Sequence, residues 1–458
     1  MLGAVAVLIG GWLVIDSRTS EDFPSEWDPK VAALVNFVER EKGADFAHPV
    51  PVRFLDEAAF DEEVTRDNED LTDEDKTDYE RAEGALRAVG LFSGEGSLFE
   101  QSNDLAAGGI SAFYNPDSAE VVVSGNGPLD VLTRVVLVHE LTHALQDQLG
   151  QLDVETDSSD ADDAFHAIVE GDAQRVEYAY IDDLSDSERE QYEEASSAER
   201  EAAEGDLGDV SPALTTMFSA RYTLGYAVVQ TLFEAGGREA VNDRLDSPPQ
   251  STADIMTPRR WAQGTTLVPV DAPEPPTGAE EVEEPDVYGA VAVYLTLASV
   301  TGVEDALAAA DAWGGDQYVA YSDSSGRRCL RANFVPLEPA GMDDLASAWT
   351  TWAASRPSGT AAARTSGDRV ELEACEPDSD EGSKELTAAE AGIPEQRAII
   401  VIQMTGGPDG YAFDTAACLA DHIVHQTDPD VLAQDELSDA QIEDIWAIIE
   451  LESEGCGA

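Results

Sequence analysis

The chain has 458 residues, 43% of them hydrophobic, which suffices for one large core and a smaller module, since single cores stop growing near roughly 250–300 residues. It carries 94 Asp and Glu against 26 Lys and Arg, a formal net charge of −68. Such a surface repels nucleic-acid phosphates and anionic lipid headgroups, so nucleic acid is excluded as a partner; divalent ions, cationic partners or a salty medium suit it better.

The N-terminus opens with an apolar run from Leu2 to Ile15. It is shorter than the roughly 20 residues of a membrane span, and it lacks a basic leader and a small-x-small cleavage site. The abrupt change to polar residues at Asp16–Asp22 reads residues 1–20 as an export signal or membrane anchor, with a buried strand as the alternative. Any membrane contact is expected through this segment only. Next comes a helix over Asp28–Lys42, with Val31, Leu34, Val35 and Val38 at helical spacing. A short strand follows at Val50–Leu55, then an acidic segment, Asp56–Glu80, that ends in a helix through Ala88. Ala112–Tyr114 and Val121–Val123 read as two strands joined by the turn Asn115-Pro116-Asp117-Ser118.

Leu132–Leu149 is the strongest helix in the chain, with Gly150 as its C-terminal cap. An acidic loop, Asp153–Asp163, leads to a second helix over Ala164–Leu184; Ser185–Gly208 is charged surface helix or loop. A helix over Ala213–Ala235 stops at Gly236-Gly237, and Val270–Pro285 reads as an exposed loop. Helices over Tyr288–Val300 and Glu304–Ala312 precede a Trp313-Gly314-Gly315-Asp316 turn, read as structural with a buried Trp. Strand-like pieces follow at Tyr318–Tyr321, Leu330–Phe334 and Val370–Leu372. Residues 377–395 read as a linker and 396–458 as a helical C-terminal module, with Ile442, Ile445, Trp446 and Ile449 as one apolar stripe. The even number of cysteines, Cys329, Cys375, Cys418 and Cys456, outside any CxxC pattern, reads as disulfides in an exported chain. Proximity in sequence favours Cys329–Cys375 and Cys418–Cys456.

The chemistry-bearing segment is Val138-His139-Glu140-Leu141-Thr142-His143, an HExxH pattern inside the strongest helix. Residues four apart share a helix face, so both imidazoles reach one ion at the zinc–nitrogen distance of about 2.0–2.1 Å. Glu140, one position on, sits where it can take the proton of a metal-bound water. A catalytic zinc keeps three protein ligands and one open position. No third His follows at HExxHxxGxxH spacing, because that place is Leu149. Glu170 and His166, one turn apart on the next helix, are the candidate third ligands. Asp172 is a candidate acceptor for the free nitrogen of a ligand His, and Asp147 a weaker one. Small Gly171 and Ala173 would permit close approach to the metal helix. Tyr222 and Tyr226, four apart, are candidate donors to an oxyanion. His422 and His425, near Asp421, read as a solvated helix face rather than a metal site.

His139–Gln148 (HELTHALQDQ) and Ile168–Ala173 (IVEGDA) resemble gluzincin-type zinc peptidases, and more narrowly a group of secreted or anchored bacterial HExxH proteins. Pro248–Pro258 (PPQSTADIMTP) and the WGGD segment are similar to that group too, over roughly Trp27 to Cys375. The resemblance implies His139, His143 and Glu170 as zinc ligands and Glu140 as base. It also implies a zincin-like fold, with the hairpin Ala112–Val123 supplying the strand that borders the cleft. One departure stands out: the family's Asp four residues after the ligand Glu is Gln174 here, and Asp172 would substitute. The expectation is an α+β protein outside the cell membrane or in the envelope, with a zincin-like domain over 25–376. It would hydrolyse peptide or protein substrates through zinc-bound water activated by Glu140. The rival expectation is an envelope protein that keeps the scaffold in a binding or structural role, without turnover.

Overall fold

In the computed structural model, residues 23–457 are described apart from 66–70, 95, 110, 126, 207–209, 263, 379–383, 407–409 and 435. The apolar run at 2–15, and with it the expected signal or anchor at 1–20, lies outside the described residues. Among those described, no helix is long and apolar enough to cross a membrane.

The protein is mixed α+β. Helix α1 (Ala32–Lys42) leads to strand β1 (Val52–Leu55). The acidic stretch after it holds two helices, α2 (Glu57–Val64) and α3 (Asp73–Val89), and α4 (Leu98–Gly109) comes before the hairpin β2 (Ala112–Asn115) and β3 (Glu120–Ser124). These strands form a sheet in the order β1-β3-β2. β1 runs parallel to β3, and β2 antiparallel to it in the register Tyr114 opposite Val121, which leaves β2 at the edge.

Helix α5 (Val131–Gln148) packs beneath that sheet. Leu137, Val138, Leu141, Ala144 and Leu145 recur at helical spacing and share one core with Val31, Val35 and Val38 of α1 and Val121 and Val123 of β3. Asp130 caps its first turn, its carboxylate accepting from the Thr133 amide at 2.8 Å. The chain leaves α5 through Gly150, whose φ of 71° is the left-handed exit that glycine permits. Helix α6 (Ser159–Asp183) starts five residues before the expected Ala164. Of the acids read as loop, Asp160 and Asp162 lie in its first turn, where the helix dipole favours them, while Asp153, Glu155 and Asp157 precede it; Ser158 caps it by accepting from the Ala161 amide at 3.2 Å. Helix α7 (Asp186–Asp206) takes the charged segment. Helix α8 (Pro212–Asp246) breaks at Gly237, with φ 67° and ψ −158°, where the sequence placed its end, and then resumes.

Beyond the short α9 (Ala253–Met256), α10 (Ala290–Thr301) and α11 (Val303–Ala312), a second sheet forms. Its strands are β4 (Trp313–Ser322), β5 (Arg328–Pro336), β6 (Ala361–Ser366) and β7 (Arg369–Cys375), in the antiparallel order β4-β5-β7-β6, with α12 (Met342–Ser355) between β5 and β6. The WGGD segment is the bulged start of β4 rather than a turn. Trp313 is buried, as read, and its indole N–H donates to Asp316 at 2.9 Å. Disulfide Cys329–Cys375 joins facing positions of β5 and β7; Cys418–Cys456 ties the last helices together.

Helices α13 (Ala388–Ala391), α14 (Ile393–Thr405), α15 (Phe413–Gln426), α16 (Pro429–Leu432) and α17 (Asp439–Glu452) complete the chain. Ile393, inside the expected 377–395 linker, and Val401 and Ala417 beyond it lie in the same core cluster as Leu224, Leu297 and Trp349 before it. Arg397 is buried between Asp311 of α11 and Asp421 of α15, at 2.7 and 3.2 Å, and also donates to the Met256 carbonyl. The expected apolar stripe of α17 is only partly covered. Ile449 is buried, whereas Ile442 and Trp446 are exposed.

Two buried carboxyls face the N-terminus of α10. Asp316 accepts from the Tyr288 and Gly289 amides at 2.7 and 3.0 Å, and Asp160 accepts from the Thr252 hydroxyl at 2.5 Å. A Cβ on Gly289 would fall 1.8 Å from Asp160, so only glycine fits there. Burial raises both carboxyls to about 7, against their hydrogen bonds and with help from neighbouring acids, Asp316 and Asp163 around Asp160 and Asp286 around Asp316. A carboxyl with a raised folded-state pKa adds stability that is complete below its ordinary range and lost as pH rises through the folded value. The thermal midpoint should therefore fall from about pH 5 to about pH 8, and Asp160→Asn should flatten the slope. Calorimetry across that range checks this; a midpoint that climbs with pH would contradict it.

Candidate metal centre

The apolar stripe of α5 faces the sheet, the opposite side presents His139 and His143 towards α6, and Glu140 on the flank meets edge strand β2. On α6, Glu170 and Glu177 stand seven residues apart, hence on one face. The structure brings His139, His143 and Glu170 together as a group that could hold a metal ion. His139 Nε2 lies 3.0 Å from His143 Nε2; Glu170 Oε2 lies 3.1 Å from the first and 3.3 Å from the second. A tetrahedral ion with bonds of about 2.0–2.1 Å sets its ligands about 3.3 Å apart, close to all three separations. His139 and Glu170 keep 11% and 16% of their side-chain surface exposed, so the group opens to solvent on one side.

The hydrogen bonds around the rings show what the three atoms offer. Gln146 Nε2 donates to the Val169 carbonyl at 3.1 Å and to Asp172 Oδ2 at 2.9 Å, which turns Gln146 Oε1 towards His143 Nδ1 at 2.8 Å. An amide oxygen only accepts, so His143 carries its proton on Nδ1. Likewise His139 Nδ1 donates to Glu177 Oε2 at 3.0 Å. Both Nε2 atoms then present lone pairs, and with a carboxylate oxygen they converge on one point. With both Nε2 atoms deprotonated, the three acceptors could share a cation, and two imidazoles with one carboxylate suit a borderline divalent metal; without a metal, protons on the rings hold Glu170 instead. Burial opposes ionisation of Glu170, yet the two imidazoles hold its carboxyl well below the usual range. Burial also opposes charge on His139, but its bonds to Glu170 and Glu177 raise it well above the ordinary imidazole value.

Glu140 lies beside this group. Its Oε2 accepts from the Tyr114 amide of edge strand β2 at 2.7 Å, and the Tyr114 hydroxyl donates to Asp147 at 2.5 Å. Tyr114 thereby latches β2 to α5 at two points, two helical turns apart. Burial raises the Glu140 carboxyl above its ordinary value, against the pull of His139 and His143. Tyr222 of α8 sets its ring 6.3 Å from that of His139, whereas Tyr226 packs edge-on against Tyr178 at 4.7 Å. Of the two tyrosines, Tyr222 is the one at the site. Burial, with the Glu170 and Glu140 carboxylates, keeps its phenol protonated well above the usual value.

Several sequence assignments change. His166 turns to the Asp162 carbonyl at 2.9 Å and takes no part in the group. Asp172 does not accept from a ligand His; Gln146 stands between them. Asp147 holds Tyr114 instead. Gly171 faces α8 rather than the metal helix. The direct carboxylate partner of a ligand His is Glu177, which the sequence reading missed although it lies one heptad after Glu170. Gln146, one turn after His143, was missed as well. The other three-donor cluster among the described residues, Cys418, His422 and Cys456, has both sulfurs committed to a disulfide. Asp421 pairs with Arg397.

Helices α6 and α8 cross at bare backbone. A Cβ on Gly225 would fall 1.8 Å from the Ala167 carbonyl oxygen, and one on Gly171 would fall 2.2 Å from the Gly225 carbonyl carbon. Neither contact is with a movable side chain, so Gly225→Ala must spread the helices that carry Glu170 and Tyr222. It should cost about 1–3 kcal/mol or more in urea unfolding. A variant as stable as the parent would show that the crossing is not this tight.

Comparison of the chain with protein-family models, with curated proteins and with solved structures finds no match in any of the three. The functional assignment therefore rests on the chemistry of the site.

Proposed function

We propose that the protein is a zinc metallopeptidase of zincin-like architecture that works outside the cell membrane. The observation that carries this reading is the convergence of His139 Nε2, His143 Nε2 and Glu170 Oε2, with Glu140 alongside. Zinc bound there would supply a Lewis acid that polarises a carbonyl and acidifies water. Glu140, held by the Tyr114 amide, has its other oxygen available to accept a proton from the attacking water and pass it to the leaving amine. Edge strand β2 borders the same site and offers an extended peptide a backbone to lie along. The protonated phenol of Tyr222 supplies a hydrogen-bond donor to the oxygen that becomes negative. An intact Glu140 favours turnover over a purely structural site, which has no need of a base. The disulfides fit an oxidising compartment, hence export.

The test is direct. The purified protein should hold one zinc per chain, cleave unfolded casein, lose cleavage to a chelator and regain it with Zn2+. Zinc retained without cleavage of casein or of a peptide library supports the binding or structural role. Failure to retain any metal rejects the centre.

A further inference from the structure

The two histidines of the group are held differently. His139 donates straight to a carboxylate, Glu177. His143 donates to a neutral amide, Gln146, and the charge lies one step further out. Gln146 donates to Asp172, and Asp172 is ion-paired with Lys42, whose side chain is 2% exposed against 1% for Asp172. Lys42 is the last residue of α1, far from α6 in sequence, and its ammonium also reaches Gln151 Oε1 at 3.4 Å. Arg175 approaches the other Asp172 oxygen at 3.5 Å. A fully buried ion pair is costly to assemble and adds little net stability. Here one member, Asp172, accepts from the Gln146 amide, and the other, Lys42, is taken up by Asp172 and Gln151.

Resting on the metal-centre reading, we propose that Lys42, Asp172 and Gln146 form a relay that positions His143 for metal binding. Asp172 is the fixed acceptor that orients the Gln146 amide, and the Val169 carbonyl is the second. With both amide hydrogens engaged, Gln146 Oε1 points at His143 Nδ1 and leaves Nε2 as the ligating lone pair. Lys42 holds Asp172 in place through the buried ion pair. All three are positioning residues: Gln146 acts through the far nitrogen of His143, and Asp172 and Lys42 act through Gln146. The relay joins α1, which packs against α5 and α6, to His143 on α5.

Three variants test it: Gln146→Met, Lys42→Met/Asp172→Asn, and the triple combination. The double variant removes Lys42 and Asp172 together, so neither is left buried without the other; buried Arg175 loses its Asp172 contact and is the reason folding is checked first. Thermal unfolding and circular dichroism of the metal-free proteins report whether each folds. Zinc affinity is read by competition with a chromogenic chelator, and the ligand field by the visible spectrum of the Co2+ forms. Partners of this kind set metal affinity by about 10–100-fold. Gln146→Met should weaken zinc binding by that factor and alter the Co2+ spectrum. Lys42→Met/Asp172→Asn should weaken it less, in the same direction. The triple variant should be no weaker than Gln146→Met, because the charges act only through the amide. Losses that add independently, or a folded Gln146→Met that binds zinc within twofold of the parent, would overturn the relay while leaving the centre intact. A parent protein that binds no zinc overturns both.

Discussion

Replacing Glu140 with Gln should lower kcat for casein or peptide cleavage by about 10²–10⁴-fold while one zinc stays bound. The amide keeps the size of the carboxyl, and its oxygen can still accept from the Tyr114 amide, so the latch between β2 and α5 survives. His139, His143 and Glu170 hold the group without help from Glu140. What disappears is a carboxylate beside the group that neither belongs to it nor, like Glu177, holds one of its rings. KM should change little, since Glu140 makes no contact that a bound peptide requires before the reaction. Zinc analysis by mass spectrometry with steady-state kinetics on both proteins decides the matter. A kcat within a few-fold of the parent, with full zinc, would show that another group takes the proton.

Legibility in the sequence tracks the range over which each signal acts. The ligand pair on α5 was legible because its spacing and the apolar stripe Leu137, Val138, Leu141 are local features of one helix. Both disulfide pairings were legible because each closes a short stretch of chain. The early start of α6 was misread because Asp160, Asp162 and Asp163 look like solvated loop until Ser158 is seen to cap them. The surroundings of the group were the least legible part. Lys42 carries no signal beyond its place at a helix end, and Asp172 reads as an acceptor for a ligand His rather than for an amide that stands between. That the two meet in the interior depends on how α1 and α6 pack around α5, which no local pattern encodes. Gln146 and Glu177 do lie at helical spacing from His143 and Glu170. The signal for them was present but shared with every other polar residue on those faces. The apolar stripe of α17 shows the converse: Ile442 and Trp446 have the right period, yet tertiary packing covers only part of it.

The largest effect expected outside the site comes from the net charge of −68. A folded chain of this length is roughly a sphere of about 29 Å radius. Smearing the charge over it gives a self-repulsion on the order of 10² kcal/mol at ~10 mM salt, and about fivefold less at ~1 M, where the Debye length shrinks from about 30 to about 3 Å. The unfolded chain spreads the same charge over a far larger volume and escapes most of that energy. Net stabilities are only about 5–15 kcal/mol, so screening decides whether this chain folds at all. The thermal midpoint should climb steeply from ~0.05 M to ~2 M NaCl, and helical circular dichroism should be lost at the low end. Surface ion pairs such as Arg53–Glu63 weaken with salt, but pairs of this exposed kind are worth about 0–1 kcal/mol each and cannot reverse the trend. Screening also separates from general salting-out: at equal ionic strength, well below molar concentrations, chloride and sulfate should raise the midpoint alike. A midpoint that is flat or falling with NaCl would mean that the acidic residues are neutralised by protons or bound cations even in dilute buffer.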